Sequence, residues 1–184
     1  MTMTRWIRLL SFFILVGSFP NHGFGQTTTA PKVRLLLSEV IPGSMSTDQY
    51  CTLVLSDHHF HSEKASRYHG KDTDRKVFEG ELTDTEWNSL NGILDKPDFR
   101  DLKVPQGVAP LIVQDSHPYT ISVARAGNYQ NMEFLDSKSL KPYQAQVKPL
   151  LQWWKALRAQ RLPESKAPAN DRCSLDSTHG IIAQ

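Results

Sequence analysis

Apolar positions keep a helical spacing over one long segment near the C-terminal end of the chain. In residues 141–162 they recur every three or four positions, on one stripe of a helix: Tyr143, Val147, Leu150, Leu151, Trp154 and Leu157. Pro149 removes an internal hydrogen bond, so we expect either a kink there or a helix that begins near Lys148. Pro163 forbids continuation. This C-terminal helix should pack on a sheet formed by the upstream chain.

A second helix is predicted over residues 82–95 by its capping signals. Thr83 and Glu86 have the spacing of a capping box, in which each side chain binds the backbone N–H of the other residue. The apolar stripe that follows comprises Trp87, Leu90, Ile93 and Leu94. Gly92 weakens this helix by about 1 kcal/mol relative to alanine, and Pro97 ends it.

Several segments rich in β-branched and aliphatic residues predict strands. Residues 33–41 and 50–56 flank the turn signal at residues 42–44. The polar residues 57–75 predict a long, exposed hairpin with its turn near residues 72–74, which brings Tyr68 opposite Phe78.

A further strand is predicted at residues 111–113, and a hairpin over residues 119–136. With Gly127 and Asn128 as its two-residue loop, Val123 lies opposite Met132 and Ile121 lies opposite Phe134. These four apolar side chains then share one face of the sheet, and we expect the C-terminal helix to pack against that face.

Together these elements predict an α+β fold, an antiparallel sheet of about five or six strands with two helices packed on one face. Residues 33–162 form a single domain in this interpretation. Residues 26–32 are a flexible leader, and residues 163–184 are a polar tail.

The first 25 residues have the organisation of a cleavable export signal. Arg5 and Arg8 precede the apolar run 9–16, and Gly23 and Gly25 provide the small residues of a cleavage site. The run is about half of the roughly 20 residues that a bilayer requires, so we predict no membrane span after cleavage. The mature protein should begin near Gln26 and be secreted or periplasmic.

Removal of the signal changes the charge of the chain. The signal holds two of the 21 basic residues and none of the 19 acidic ones, so the mature chain is formally neutral. A nucleic-acid partner is therefore not expected, because it needs a clustered positive surface.

The two cysteines, Cys51 and Cys173, are expected to form a disulfide in an oxidising compartment. The tail is too poor in apolar residues to fold alone, so Cys173 is its only expected anchor. Cys51 shares a strand face with Leu53 and Leu55, and we place it beneath the C-terminal helix. A cysteine nucleophile has no local signature here.

Sequence motifs for catalysis or cofactor binding are absent. The chain has no Gly-x-Ser-x-Gly elbow, His-Glu-x-x-His motif, Gly-rich phosphate loop or Cys-x-x-Cys pair, so no catalytic residue and no cofactor is predicted. Asp115, Ser116 and His117 have the residue types of a hydrolytic triad. Because neighbours on an extended chain point to opposite faces, they cannot form a relay among themselves.

Two other features offer weaker hints of binding. His59 and His61 have the i, i+2 spacing with which a strand can present two imidazoles to one metal ion, but a zinc site needs a third ligand. The alternative is a solvated polar hairpin. Trp153, at the edge of the helical stripe, is either a contact for a protein partner or a residue buried at the border of the core.

Three classes of function stay open. An exported, non-catalytic binding or interaction module fits the neutral chain and the missing motifs. The alternatives are an enzyme with dispersed catalytic residues and a structural envelope-accessory protein. A concave pocket with convergent ionisable groups favours the enzyme, whereas a flat aromatic patch near Trp153 favours the binding module.

Overall fold

A computed structural model describes residues 32–68, 71–104 and 117–173, without the side chains of residues 71–73. The predicted export signal, the predicted strand at residues 111–113 and the end of the tail lie outside the described residues. Six strands form one antiparallel sheet in the order β4-β3-β2-β1-β5-β6. They are β1 Val33–Pro42, β2 Ser46–Leu55, β3 His59–Tyr68, β4 Lys71–Glu81, β5 Tyr119–Arg125 and β6 Asn128–Phe134. The predicted α+β fold is confirmed.

Within the described residues, four helices accompany the sheet: α1 Asp84–Leu94, α2 Pro97–Arg100, α3 Ser137–Leu140 and α4 Gln144–Arg158. A 3-10 turn, Lys141–Tyr143, joins α3 to α4. The predicted capping box begins α1: the Glu86 N–H donates to Thr83 Oγ1 at 3.2 Å, and the Thr83 N–H donates to Glu86 Oε2 at 2.9 Å. Local sequence therefore determines where α1 starts.

The start of the C-terminal helix differs from the prediction. α4 begins at Gln144 and runs through Pro149, so a start near Lys148 is wrong. Val147 is fully buried one turn before Leu150, and this burial stabilises the first turn of α4 despite the hydrogen bond that Pro149 removes.

The main core lies between α1, α4 and one face of the sheet, which we call the helix face and which carries Leu35, Leu37 and Val54. Trp154 of α4 is buried there, and its indole N–H donates to Thr52 Oγ1 of β2 at 2.7 Å. We call the opposite face, which carries Leu36, Cys51 and Leu53, the tail face. It contributes to a second apolar cluster that includes Cys173.

The register of the β5–β6 hairpin differs from the prediction. Arg125 pairs with Asn128, so the loop is Ala126 and Gly127; Ile121 lies opposite Met132, and Tyr119 lies opposite Phe134. Gly127 has φ of 85°, which glycine adopts without steric cost. The predicted pairs are wrong by two positions, and because two is even the apolar side chains stay on the helix face.

The register of the β3–β4 hairpin is also wrong in the prediction. Tyr68 pairs with Lys71, and Phe78 pairs with Ser62. In this register Phe60 lies opposite Gly80, where the missing side chain makes room for the Phe60 ring. The hairpin is not simply exposed, because its buried residues include Phe60, His61, Ser62, Glu63 and Ala65.

We expect Gly80→Ala to destabilise the protein by about 1–3 kcal/mol, the usual cost of overpacking. A Cβ at position 80 would lie 2.8 Å from the Phe60 ring, so the ring must move. The matched control is Gly92→Ala in α1, where a Cβ meets nothing within 4 Å and should stabilise by up to about 1 kcal/mol. Urea denaturation of both variants checks this, and equal midpoints would contradict it.

Among the helices of the described residues, none is both long and apolar enough to cross a membrane.

Candidate functional site

A pocket opens on the helix face where the C-terminal end of α4 meets β2, β3 and β4. Its volume is about 140 Å³. Four of its lining residues are apolar: Phe60, Phe78, Leu157 and Leu162. Phe60 and Leu157 are buried, whereas Phe78 and Leu162 are partly exposed. The pocket therefore has an apolar floor that solvent reaches.

The pocket forms because the sheet extends beyond the helix that covers it. α4 ends at Arg158, above β2, while β3 and β4 continue outward. The pairing places Tyr50 opposite Lys64 and Lys64 opposite Lys76, so these three side chains point to the same face. Beyond the end of α4 the helix face therefore presents Tyr50 and Lys64 at the pocket, with Lys76 beside Lys64 on the next strand.

Two cationic groups flank the Tyr50 ring beside this pocket. The Lys64 ammonium lies 5.7 Å from the ring centroid, and the Arg158 guanidinium lies 4.4 Å from it. Arg158 also lies 4.3 Å from the ring of Trp154. Cations are attracted to aromatic faces at such distances, so the ring helps to hold both groups at the rim of the pocket.

Arg158 is also held by a buried carboxylate. Glu39, which is 5% exposed, accepts hydrogen bonds from Arg158 and from His117 Nε2, the latter at 2.9 Å. Burial raises the pKa of the nearby Tyr119 phenol, and the Glu39 carboxylate raises it further, so Tyr119 stays protonated. Glu39 thus balances the charge of Arg158.

Lys64 at the pocket rim and its cross-strand neighbour Lys76 lack such a partner. Among the described residues, no carboxylate lies within ion-pair distance of Lys64 or Lys76. Asp48, on the same sheet face, accepts a hydrogen bond of 2.6 Å from the Ser66 hydroxyl instead. The rim therefore carries positive charge that its own side chains do not neutralise.

The tail face of the sheet has a separate charged cluster centred on Glu63. Its carboxylate accepts hydrogen bonds from His61 Nε2 at 2.7 Å, from Arg75 at 2.6 Å and from the Asn170 N–H at 2.5 Å. Burial alone raises the pKa of Glu63, but the hydrogen bonds from His61 and Asn170, with the charge of Arg75, outweigh burial and lower it.

This cluster helps to fasten the tail. The Ser165 N–H donates to the Val77 carbonyl at 2.7 Å, and Gln49 Nε2 donates to the Cys173 carbonyl at 3.1 Å. Together with the bond between Asn170 and Glu63, these contacts correct the expectation that Cys173 is the only anchor. A sheet face that would otherwise be solvated is therefore covered by the described part of the tail.

The predicted disulfide between Cys51 and Cys173 is confirmed, with Cα atoms 5.5 Å apart. Its placement beneath the C-terminal helix is wrong. Successive residues of β2 alternate between the faces, so Thr52 points to Trp154 and Cys51 points to the tail face. The disulfide ties the tail to the side of the sheet opposite α4.

His59 and His61 lie on the tail face, as their spacing predicts, but in different surroundings. The His61 ring nitrogens face two carboxylates, with Nε2 at 2.7 Å from Glu63 and Nδ1 at 3.4 Å from Glu79. His59 is exposed, 3.4 Å from Asp57. No three His, Cys, Asp or Glu side chains in the described part of the chain are grouped to hold a metal. Metal binding by His59 and His61 stays a prediction.

Other candidates from the sequence can also be located. Trp153 is partly buried and packs against the main core, and its role as a partner contact stays a prediction. His117 binds Glu39, whereas Asp115 and Ser116 lie outside the described residues.

Sequence reasoning missed the groups that define the pocket and the two clusters. Glu39 had a usable signal, because it is in phase with the buried Leu35 and Leu37 on β1. Lys64 and Arg158 had none, since each belongs to a segment that is polar or charged for several residues.

No protein-family model matches this chain, and no curated protein is significantly similar to it.

Proposed function

We propose that the protein is an exported, non-catalytic binding domain whose ligand occupies the pocket at the end of α4. The observation that carries the proposal is a solvent-accessible apolar floor with Lys64 and Arg158 at its rim. Recognition sites commonly combine an apolar surface with a few placed polar groups. Export is supported by the signal-like residues 1–25 and by the disulfide, which is typical of oxidising compartments.

The side chains at this pocket are suited to binding rather than to acid–base chemistry. The Ser62 hydroxyl donates to the Cys51 carbonyl at 3.1 Å and lies 2.7 Å from Thr52 Oγ1, so it is already engaged. Strand alternation directs His61 and Glu63 to the tail face. The cations Lys64 and Arg158 can attract and orient a ligand. The carboxylate that pairs with Arg158, Glu39, is buried and already accepts two hydrogen bonds.

An enzyme with dispersed catalytic residues is the second candidate, and the Glu39–His117 pair favours it. The His117 side chain is 41% exposed and is oriented by a buried carboxylate, as general bases often are. Within the described residues, however, His117 makes no hydrogen bond to a hydroxyl or thiol group. A structural envelope-accessory protein would need neither the pocket nor the pair.

A fragment screen by NMR tests the binding function. We expect small ring compounds to shift the amide signals of pocket residues in the mature protein and to be recovered unchanged. Leu162→Trp should abolish these shifts, because the larger side chain fills the pocket from its partly exposed wall. Ala159→Trp is the matched control, since Ala159 is exposed and does not line the pocket.

The outcomes separate the candidates. Shifts that persist in Leu162→Trp, or that cluster on the tail face, would refute the proposed site. Conversion of a bound fragment that is lost in His117→Ala would favour the enzyme.

A further inference from the structure

We propose that the ligand of this pocket joins one ring-sized apolar group to a carboxylate, an inference that rests on the proposed binding function. The pocket combines a small apolar volume with uncompensated positive charge on one side. Each of these two properties restricts the ligand independently.

The volume restricts the apolar part. The cavity is about 140 Å³, and a cavity of about 150 Å³ lined by apolar side chains admits one benzene molecule. Phe60 and Leu157, both 4% exposed, supply an apolar floor for such a ring. A single six-membered ring fits this space, whereas a fused polycyclic group would extend into solvent.

The pairing of the strands explains why the ligand should carry a negative charge. Lys64 and Lys76 are direct cross-strand partners on one face, and like charges in this position destabilise a sheet. Neither finds a described carboxylate within ion-pair distance, and the carboxylate nearest to Arg158 is Glu39, which already accepts from it. An anion bound at the rim would relieve this repulsion.

The surroundings favour a carboxylate over a larger polyanion. Glu39 balances Arg158, so the excess charge at the rim comes from Lys64, with Lys76 beside it on the adjacent strand. Asp48, on the same face, discourages a second negative charge on the ligand. A carboxylate one or two bonds from the ring can approach the Lys64 ammonium while the ring stays on the apolar floor.

The experiment compares three ligands that carry the same benzyl group by titration of the mature protein: phenylacetate, its neutral isostere phenylacetamide and the smaller, cationic benzylamine. We expect phenylacetate to bind at least tenfold more tightly than phenylacetamide, which corresponds to about 1.4 kcal/mol. Benzylamine should bind more weakly than the amide. The preference for phenylacetate should shrink as sodium chloride is raised, because salt screens partly exposed charges.

Lys64→Gln should reduce phenylacetate binding to the level of the amide. Lys155→Gln, which removes an exposed lysine of α4 outside the pocket, should leave it unchanged. Equal binding of acid and amide by the unaltered protein would overturn the carboxylate inference while leaving the binding site intact. Absence of binding by all three compounds would count against the site itself.

Discussion

Replacing the buried Glu63 carboxyl with an amide, in Glu63→Gln, should lower the free energy of unfolding by about 3 kcal/mol and loosen the tail. Removing one partner of a buried ion pair commonly costs about 3–5 kcal/mol, because the other charge stays buried without compensation. The side chains of Arg75 and His61 keep 22% and 11% of their surface accessible to solvent, which places the expected loss near the lower end.

Urea denaturation measures this loss, and Glu81→Gln is the matched control. Glu81 lies on β4 and is exposed, so its substitution should change the stability by less than about 0.5 kcal/mol. Hydrogen exchange should show reduced protection of the Asn170 amide in Glu63→Gln, because this amide donates to the carboxylate that is removed. If both substitutions leave stability unchanged, Glu63 does not hold the tail.

The same cluster should determine how stability depends on pH. The hydrogen bond with Glu63 raises the pKa of His61 above its ordinary 6.5, against the effect of burial, and Glu79 raises it further. The stability that protonated His61 adds to the folded state is complete below pH 6.5 and is lost as the pH rises through the folded-state pKa of His61. Glu63, whose pKa is lowered from 4.5, contributes fully above pH 4.5 and loses its contribution in stronger acid.

The cluster's contribution is therefore largest between about pH 4.5 and 6.5. The melting temperature of the unaltered protein should fall as the pH rises above 6.5. In His61→Gln this fall should be smaller, because the titrating imidazole is absent. A decline identical to that of the unaltered protein would show that His61 does not titrate in this way.

The elements of the fold could be predicted because their signals are local. The Thr83 and Glu86 capping box depends on residues three positions apart, and Gly127 marks its hairpin because glycine can adopt the positive φ that the turn requires. Register could not be predicted in the same way. The observed partner of Phe78 lies six positions from the predicted one, and that of Ile121 lies two positions away. Because both shifts are even, each apolar side chain stays on the same face of the sheet. The pattern of apolar residues cannot distinguish such registers.

The candidate site depended on contacts that the sequence does not encode locally. Glu63 lies in a segment rich in charged and histidine residues, and it is buried by a part of the tail that follows 107 residues later. The pocket requires the end of α4 to stop above β2, which fixes Arg158 beside Tyr50. Only Glu39 could have been recognised, by its phase with Leu35 and Leu37.

Removing the disulfide, in the double variant Cys51→Ala, Cys173→Ala, should lower stability by about 4 kcal/mol. The bridge closes a loop between residues 122 positions apart, and loops of about 100 residues correspond to roughly 4 to 5 kcal/mol of lost chain entropy in the unfolded state. Measured bridges often contribute less, between about 2 and 4 kcal/mol. Urea denaturation of the oxidised protein, the reduced protein and the double variant measures this difference.

The tail should loosen first at its disulfide end rather than along its whole length. Without the bridge, amides of residues 171–173 should exchange faster, whereas the Ser165 and Asn170 amides should keep part of their protection through Val77 and Glu63. In Glu63→Gln with the bridge intact, the Asn170 amide should exchange faster, whereas the amides of residues 171–173 should keep their protection. α4 and the β5–β6 hairpin should stay protected in both variants, because their buried apolar side chains belong to the main core, which does not include Cys173. Simultaneous exchange of residues 163–173 in the double variant would show that the disulfide alone holds the tail.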